Sequence, residues 1–117
     1  MEKVSIIHNP RCSKSRQTLA LLQEKGLTPE VIEYLKYPLD KPTLIELFKK
    51  LNLESVRLMM RTKEQEYKDA NLAADSVSDD ELFNAMVTTP KLIERPIVIS
   101  GQHARIGRPP ENVLDIL

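Results

Sequence analysis

The sequence predicts an α/β protein with a mixed four-stranded sheet flanked by helices and a helical insertion in the middle. Three observations lead to this fold class. Two short apolar runs near the N-terminus enclose a helical pattern, the central third carries apolar side chains at helical spacing, and the last third returns to two short apolar runs. The predicted order is therefore strand, helix, strand, several helices, two strands and a final helix.

The N-terminal part predicts a strand–helix–strand unit. Residues 3–8 form an apolar run typical of a buried strand, and residues 31–34 form the second strand. Between them, residues 14–25 predict a helix with a wide apolar face at residues 19–22 and Gly26 as its C-cap. Because the connections are short, we expect a right-handed unit with parallel strands.

The central part predicts helices. Apolar side chains recur at i, i+3, i+4 and i+7, which places them on one helix face: Leu44, Leu47, Phe48 and Leu51. Asp40 or Thr43 can cap this helix. Residues 55–60 predict a short helical turn, residues 63–70 predict a polar surface helix, and residues 78–81 form a capping-box pattern that begins another helix.

The last third predicts a β-hairpin and a helix. Residues 97–99 and 103–106 are predicted strands on either side of Ser100 and Gly101, which we expect to form the hairpin turn. Pro109 and Pro110 then open a final helix, because proline is tolerated in the first helical turn.

Composition restricts the function classes. The 117 residues fit one domain spanning 1–117, with the helical insertion at approximately 40–90. The formal net charge is zero, which gives no general attraction to nucleic acid or to an anionic membrane. No apolar run approaches the roughly 20 residues of a membrane helix, and the N-terminus lacks a signal-peptide pattern. We expect a monomer without a metal site.

The single cysteine is the strongest candidate for chemistry. Cys12 follows the first strand and precedes the first helix, where unpaired N–H groups stabilise a thiolate. The alternative is a small buried residue without reactivity. With one cysteine, an internal disulfide is impossible, which fits the reducing cytoplasm, and any thiol exchange needs an external partner.

Neighbouring polar residues can support this thiol. Ser13 and Ser15 add hydroxyl donors, and Arg16 adds a guanidinium suited to oxyanions. His8 can lower the thiol pKa if it is protonated, or orient the loop if it is neutral.

The order of elements is that of a thioredoxin-like domain with a helical insertion. In this fold the loop before the third strand lies next to the cysteine loop, and the peptide bond before the equivalent proline is cis, so Arg95–Pro96 is a candidate cis bond. Arg61, Arg95 and Arg108 could converge on the thiolate as an oxyanion site, or they could be ordinary surface residues.

Together these residues resemble the glutathione/glutaredoxin-dependent arsenate reductase family. The resemblance runs from end to end and is carried by four stretches, at residues 8–16, 57–61, 92–98 and 107–117. It implies a cytoplasmic enzyme whose nucleophile is Cys12 and whose oxyanion-binding residues are Arg61, Arg95 and Arg108. It also implies arsenate as substrate, glutathione as co-substrate, glutaredoxin as partner and no bound cofactor.

The sequence departs from well-known arsenate reductases at Ser13 and Lys14, where those enzymes carry small, uncharged residues. Lys14 either assists anion capture or indicates a different oxyanion or thiol substrate. Spx-like regulators, which bind RNA polymerase, share the fold, but Ser15 replaces the second cysteine of their redox switch. A single-cysteine protein that binds a protein partner and a thiol-transfer enzyme with another substrate therefore remain alternatives.

Overall fold

The computed structural model describes residues 3–117, and Met1 and Glu2 lie outside the described residues. The chain divides into two compact units. The first contains the residues up to Tyr37 together with Arg95–Leu117, and the second is Pro38–Glu94. The expectation of one domain over 1–117 stays a prediction.

The first unit contains a mixed four-stranded sheet, which confirms the predicted fold class. Its strands are β1 (Val4–Ile7), β2 (Glu30–Ile32), β3 (Ile97–Ser100) and β4 (His103–Ile106). The spatial order is β2-β1-β3-β4. β1 pairs with β2 in parallel, and β3 is antiparallel to both β1 and β4. β1 lies in the interior of the sheet and pairs with a strand on each side, so the loop that follows it begins from a fixed position.

Helix α1 (Ser13–Glu24) connects β1 to β2. It buries Ser15, Thr18 and Leu22, and Leu19 and Leu21 of the predicted apolar face pack partly buried against the hydrophobic core. Ala20 is exposed, because each step along an α-helix turns by about 100° and carries this residue away from the core. Leu22 packs with two β1 side chains and with Val98 and Val113 in a small core.

The end of β2, the hairpin turn and the type of the final helix differ from the sequence prediction. β2 ends at Ile32 because the chain then turns, with the Glu33 carbonyl accepting hydrogen bonds from the N–H groups of Lys36 and Tyr37. The hairpin turn lies at Gly101 and Gln102, since Ser100 pairs with His103, and Gly101 has φ of +60°. The final helix is a 3-10 helix, Pro110–Ile116.

The second unit is helical, as expected for the insertion. It contains α2 (Lys41–Leu51), a 3-10 helix (Val56–Met59), α3 (Gln65–Asp69), α4 (Asp79–Thr88) and a second 3-10 helix (Pro90–Leu92). Asp40 caps α2 by accepting the Thr43 N–H at 2.9 Å. The capping box of Ser78 and Glu81 is confirmed. Within residues 3–117, no helix combines the length and apolarity needed to cross a membrane.

Candidate active site

Cys12 occupies the N-cap position of α1. Its backbone is extended, with φ of −94° and ψ of 125°, and its carbonyl accepts the Arg16 N–H at 3.0 Å as the first turn of the helix closes. The Cys12 N–H donates to the Asn9 carbonyl at 3.0 Å, which closes the loop after β1. The thiol is free and 9% exposed. It therefore lies where a helix offers unpaired N–H donors.

The pKa of the Cys12 thiol lies below its ordinary value of 9.0. Burial is the largest single influence and raises the pKa, because it disfavours the charged form. Several smaller influences outweigh burial together: hydrogen bonds from the Ser15 and Lys14 N–H groups, and the positive charges of Arg95 and Arg108. The site therefore favours the thiolate, which is the nucleophilic form of cysteine.

Arg108 joins the cysteine to the segment before β3. Its Nη2 lies 3.4 Å from Cys12 Sγ, and its Nε donates to the Arg95 carbonyl at 2.8 Å. Arg108 is the second residue after β4, so the end of the hairpin brings its guanidinium to a residue 96 positions earlier in the chain. The predicted approach of Arg95 and Arg108 to Cys12 is thus present in the first unit.

Arg95 presents unsatisfied donors beside the thiol. Among residues 3–117, its Nε and Nη1 are buried and have no hydrogen-bond partner. A buried guanidinium N–H without an acceptor is costly, so such atoms indicate a place for an anionic ligand. The Arg95–Pro96 peptide bond is cis, as expected, and the Arg108–Pro109 bond is also cis, which the sequence analysis did not anticipate.

His8 is tied to the cysteine loop through Ser15. The buried Ser15 hydroxyl accepts the Asn9 N–H at 3.1 Å and is hydrogen-bonded to His8 Nδ1 at 2.7 Å. Burial lowers the pKa of His8, the Glu33 charge raises it, and Arg16 lowers it, with a net decrease from 6.5. Of the two roles open to His8, these contacts favour the neutral, loop-orienting one.

The other polar residues of the loop take separate positions. Ser13 is the exposed first residue of α1. The guanidinium of Arg16 donates from Nη1 to the Pro10 carbonyl at 3.0 Å, so it fastens the loop. Asn9 contributes through its side chain as well, because Oδ1 accepts the Arg11 N–H at 3.0 Å. This side-chain turn is a common use of asparagine before a helix.

Arg61 lies in the second unit, two residues after the 3-10 helix Val56–Met59 ends. Its Nη2 forms an ion pair with Glu64 Oε1 at 2.8 Å, and its backbone N–H donates to the Leu92 carbonyl at 2.7 Å. Its part in an oxyanion site stays a prediction.

Gly107 is a residue whose structural importance the sequence analysis missed. A Cβ at this position would lie 2.6 Å from Thr18 Oγ1 and 2.9 Å from Pro96 Cγ, which is closer than real Cβ atoms approach. The Gly107 N–H donates to the Pro96 carbonyl at 2.9 Å. Glycine therefore lets the chain pass between α1 and the segment before β3 and deliver Arg108. A glycine directly before the arginine was the one signal available in the sequence.

Within the described part of the chain, no group of three or more histidine, cysteine, aspartate or glutamate side chains is arranged to hold a metal ion.

Comparisons with known proteins identify the family of this chain. Residues 7–116 match the model of the ArsC family. An uncharacterised Escherichia coli K12 protein, YfgD, is 56% identical over 99% of this chain and 98% of its own length. An arsenate reductase of Haemophilus influenzae is 53% identical over 97% of this chain and 98% of its own. The solved structure of an arsenate reductase from Vibrio cholerae is 54% identical, with a TM-score of 0.98, covering 99% of this chain and 98% of that one. This chain belongs to the ArsC family.

Proposed function

We propose that the protein is an arsenate reductase in which Cys12 is the only nucleophile and in which glutathione and glutaredoxin complete the reduction. One observation carries the proposal: the thiol with a lowered pKa lies beside Arg108 and Arg95, and two buried N–H donors of Arg95 have no partner in the described part of the chain, residues 3–117. The relatives described as arsenate reductases support arsenate as the oxyanion.

The first step would join the cysteine to arsenic. The Cys12 thiolate attacks As(V), an S–As bond forms, and one arsenate oxygen leaves as water after protonation. Arg95 and Arg108 hold the remaining oxygens and stabilise their charge, because guanidinium groups bind oxyanions with paired N–H donors. Arg61 is the proposed third cation of this set.

The second step would transfer two electrons to arsenic. The sulfur of glutathione attacks the Cys12 sulfur, the S–S bond forms, and the S–As bond breaks with its electron pair remaining on arsenic as As(III). Arsenite leaves, and the enzyme holds a mixed disulfide. A glutaredoxin thiolate then attacks the glutathione sulfur, which frees Cys12 and leaves glutathionylated glutaredoxin. The lone cysteine makes this external thiol necessary.

The co-substrate, the oligomeric state and the compartment are part of the proposal. Glutathione is a co-substrate, no cofactor stays bound, and the enzyme acts as a monomer in the cytoplasm, where reduced glutathione is abundant. His8, Ser13, Ser15, Arg16 and Pro96 support the site by holding the loop and the arginine segment. Of these, Ser15 acts through its contacts with His8 and Asn9.

A coupled assay tests the proposal. Arsenate-dependent NADPH oxidation is measured with glutathione, glutaredoxin and glutathione reductase present. We expect turnover by the wild type, none by Cys12→Ser, and a loss of about 100-fold by Arg95→Ala, in line with the removal of one charge-stabilising donor. Arg105→Ala is the matched control: Arg105 is a partly buried arginine that pairs with Asp115, and its removal should leave full activity.

Two results would contradict the proposal. Turnover that survives in Cys12→Ser would exclude the cysteine as nucleophile. A wild-type rate no higher than the rate without enzyme would exclude arsenate reduction. A screen of glutathionylated substrates, and co-purification with RNA polymerase, would then test the thiol-transfer and protein-binding alternatives.

A further inference from the structure

We propose that a cavity on the β2 side of the cysteine loop binds the thiol donor, a short thiol peptide with two carboxylates and one ammonium group, which is the charge pattern of glutathione. The inference rests on the proposed function in taking such a thiol as a reactant. It adds a binding site, with Arg11, Glu33 and Lys36 as the residues that recognise the peptide.

The cavity has a volume of about 230 Å³ and lies in the first unit. One wall is the cysteine loop itself, at Asn9, Pro10 and Arg11, and the other is the turn after β2. Ligand pockets for drug-sized molecules span roughly 300–1,000 Å³. The cavity is slightly smaller, so it fits a short peptide that remains partly exposed to solvent.

The charges on the lining suit a peptide with two carboxylates. Arg11 and Lys36 supply two cations, and Glu33 supplies one anion. Within residues 3–117 none of these three side chains forms an ion pair. Two carboxylates and one ammonium group of the ligand would match them in number and sign. Pro10 and Leu35 also line the cavity, and their apolar side chains can contact the methylene groups of the peptide.

The cavity is close enough for the ligand thiol to reach the nucleophile. Arg11 precedes Cys12, so their Cα atoms are about 3.8 Å apart, whereas an extended tripeptide spans about 10 Å. A peptide anchored at Arg11 and Lys36 can therefore place a central thiol against Cys12. Arg95 and Arg108 would hold arsenate by a separate set of contacts, which lets both reactants bind together.

Equilibrium binding of S-methylglutathione tests the site without any turnover, since the thioether cannot form a disulfide. We expect titration calorimetry to show that Arg11→Gln and Lys36→Gln each raise Kd about two- to fivefold, the effect of losing one exposed ion pair. Lys25→Gln is the matched control, because it removes an equal charge from the exposed end of α1, and its Kd should equal that of the wild type.

A change on the ligand side identifies the role of Glu33. N-acetyl-S-methylglutathione lacks the ammonium group and should bind the wild type more weakly than S-methylglutathione does. With Glu33→Gln the two ligands should bind equally. In the coupled assay, Arg11→Gln should raise the KM for glutathione and leave the KM for arsenate unchanged.

The binding test and the activity test fail independently. If Arg11→Gln and Lys36→Gln bind S-methylglutathione as tightly as Lys25→Gln does, the cavity is not the thiol site, even in an active arsenate reductase. If arsenate is not reduced but binding depends on Arg11, Lys36 and Glu33, the proposed function fails and the binding site stands. If the wild type reduces arsenate but does not bind S-methylglutathione, the inference is overturned.

Discussion

Cys12 owes its lowered pKa to two different sources. The N–H groups of Ser15 and Lys14 come from its own helix, and the guanidinium groups of Arg95 and Arg108 come from the far end of the chain. The first source follows from the position of the cysteine at the start of α1. The second depends on tertiary structure, and it is the one that mutation can remove without changing the helix.

The alkylation rate of Cys12 by iodoacetamide should therefore respond to Arg108. We expect the pH midpoint of the wild-type rate to lie below the ordinary thiol value of 9.0. Arg108→Ala removes a charge from a guanidinium whose Nη2 is 3.4 Å from the sulfur, so the midpoint should rise and the rate at pH 7 should fall. Arg105→Ala should leave the profile unchanged. Equal profiles for all three proteins would contradict the electrostatic role of Arg108.

The segment that carries Arg108 depends on close packing between elements. Gly107 lies against Thr18 of α1 and against Pro96, with no room for a side chain. The Thr18 hydroxyl donates to the Lys14 carbonyl at 2.8 Å, so it cannot easily rotate away. This contact fixes where the chain passes after β4.

Gly107→Ala should destabilise the protein and disturb the site together. Forcing a methyl group into this contact costs about 1–3 kcal/mol, so the midpoint of urea unfolding should fall. Because the change also displaces Arg108, the alkylation midpoint of Cys12 should rise. Gln102→Ala, in the exposed hairpin turn, is the control and should change neither measurement. If Gly107→Ala has the urea midpoint and the alkylation midpoint of the wild type, the surrounding residues accommodate the methyl group and the prediction is wrong.

At the scale of the whole molecule, the buried His8 links stability to pH. Its pKa is lowered from 6.5, chiefly by burial, so the unfolded chain binds more protons than the folded chain as the pH falls through 6.5. Stability therefore decreases with falling pH in that range and is retained above it. Other groups also contribute to acid sensitivity, so the comparison is made between variants.

The expected result is a smaller stability loss between pH 7.5 and pH 5.5 for His8→Asn than for the wild type, measured as urea midpoints. Asparagine retains an acceptor for the Ser15 hydroxyl but cannot be protonated in this range. His103→Asn, which changes an exposed histidine, should show the wild-type loss. If the urea midpoint of His8→Asn falls as much as that of the wild type, the acid sensitivity belongs to other groups.

Much of the fold followed from local sequence signals. Apolar periodicity and capping patterns predicted the four strands and the main helices, and the order of elements predicted the mixed sheet. The ends of β2 and the hairpin turn were displaced by one or two residues, because turns at Glu33 and Gly101 depend on pairing with other strands. In α1, Leu19, Leu21 and Leu22 pack against the core as predicted. The burial of Ser15 and Thr18 was not predicted, because it accompanies hydrogen bonds that hydropathy does not reveal.

The site was predictable in its residue types and less so in its contacts. The motif around Cys12 predicted a reactive thiol, and the family resemblance selected Arg95 and Arg108. Within residues 3–117, the buried donors of Arg95 that lack a partner follow from tertiary packing, and no local pattern contains them. The lack of space for a side chain at Gly107 is likewise caused by Thr18 and Pro96, which are distant in sequence. The charged cavity beside Arg11 likewise combines two segments separated by α1.

The span of 96 residues between Cys12 and Arg108 also ties reactivity to the order of synthesis. A chain emerging from the ribosome presents the cysteine first, when neither arginine exists yet. Until the last strands join the sheet, the thiol lacks both guanidinium charges and resembles an ordinary cysteine more closely. The pKa of the thiol is lowered fully only after the C-terminal strands have folded and placed both arginines beside Cys12. The reactivity of Cys12 is therefore a measure of whether folding is complete.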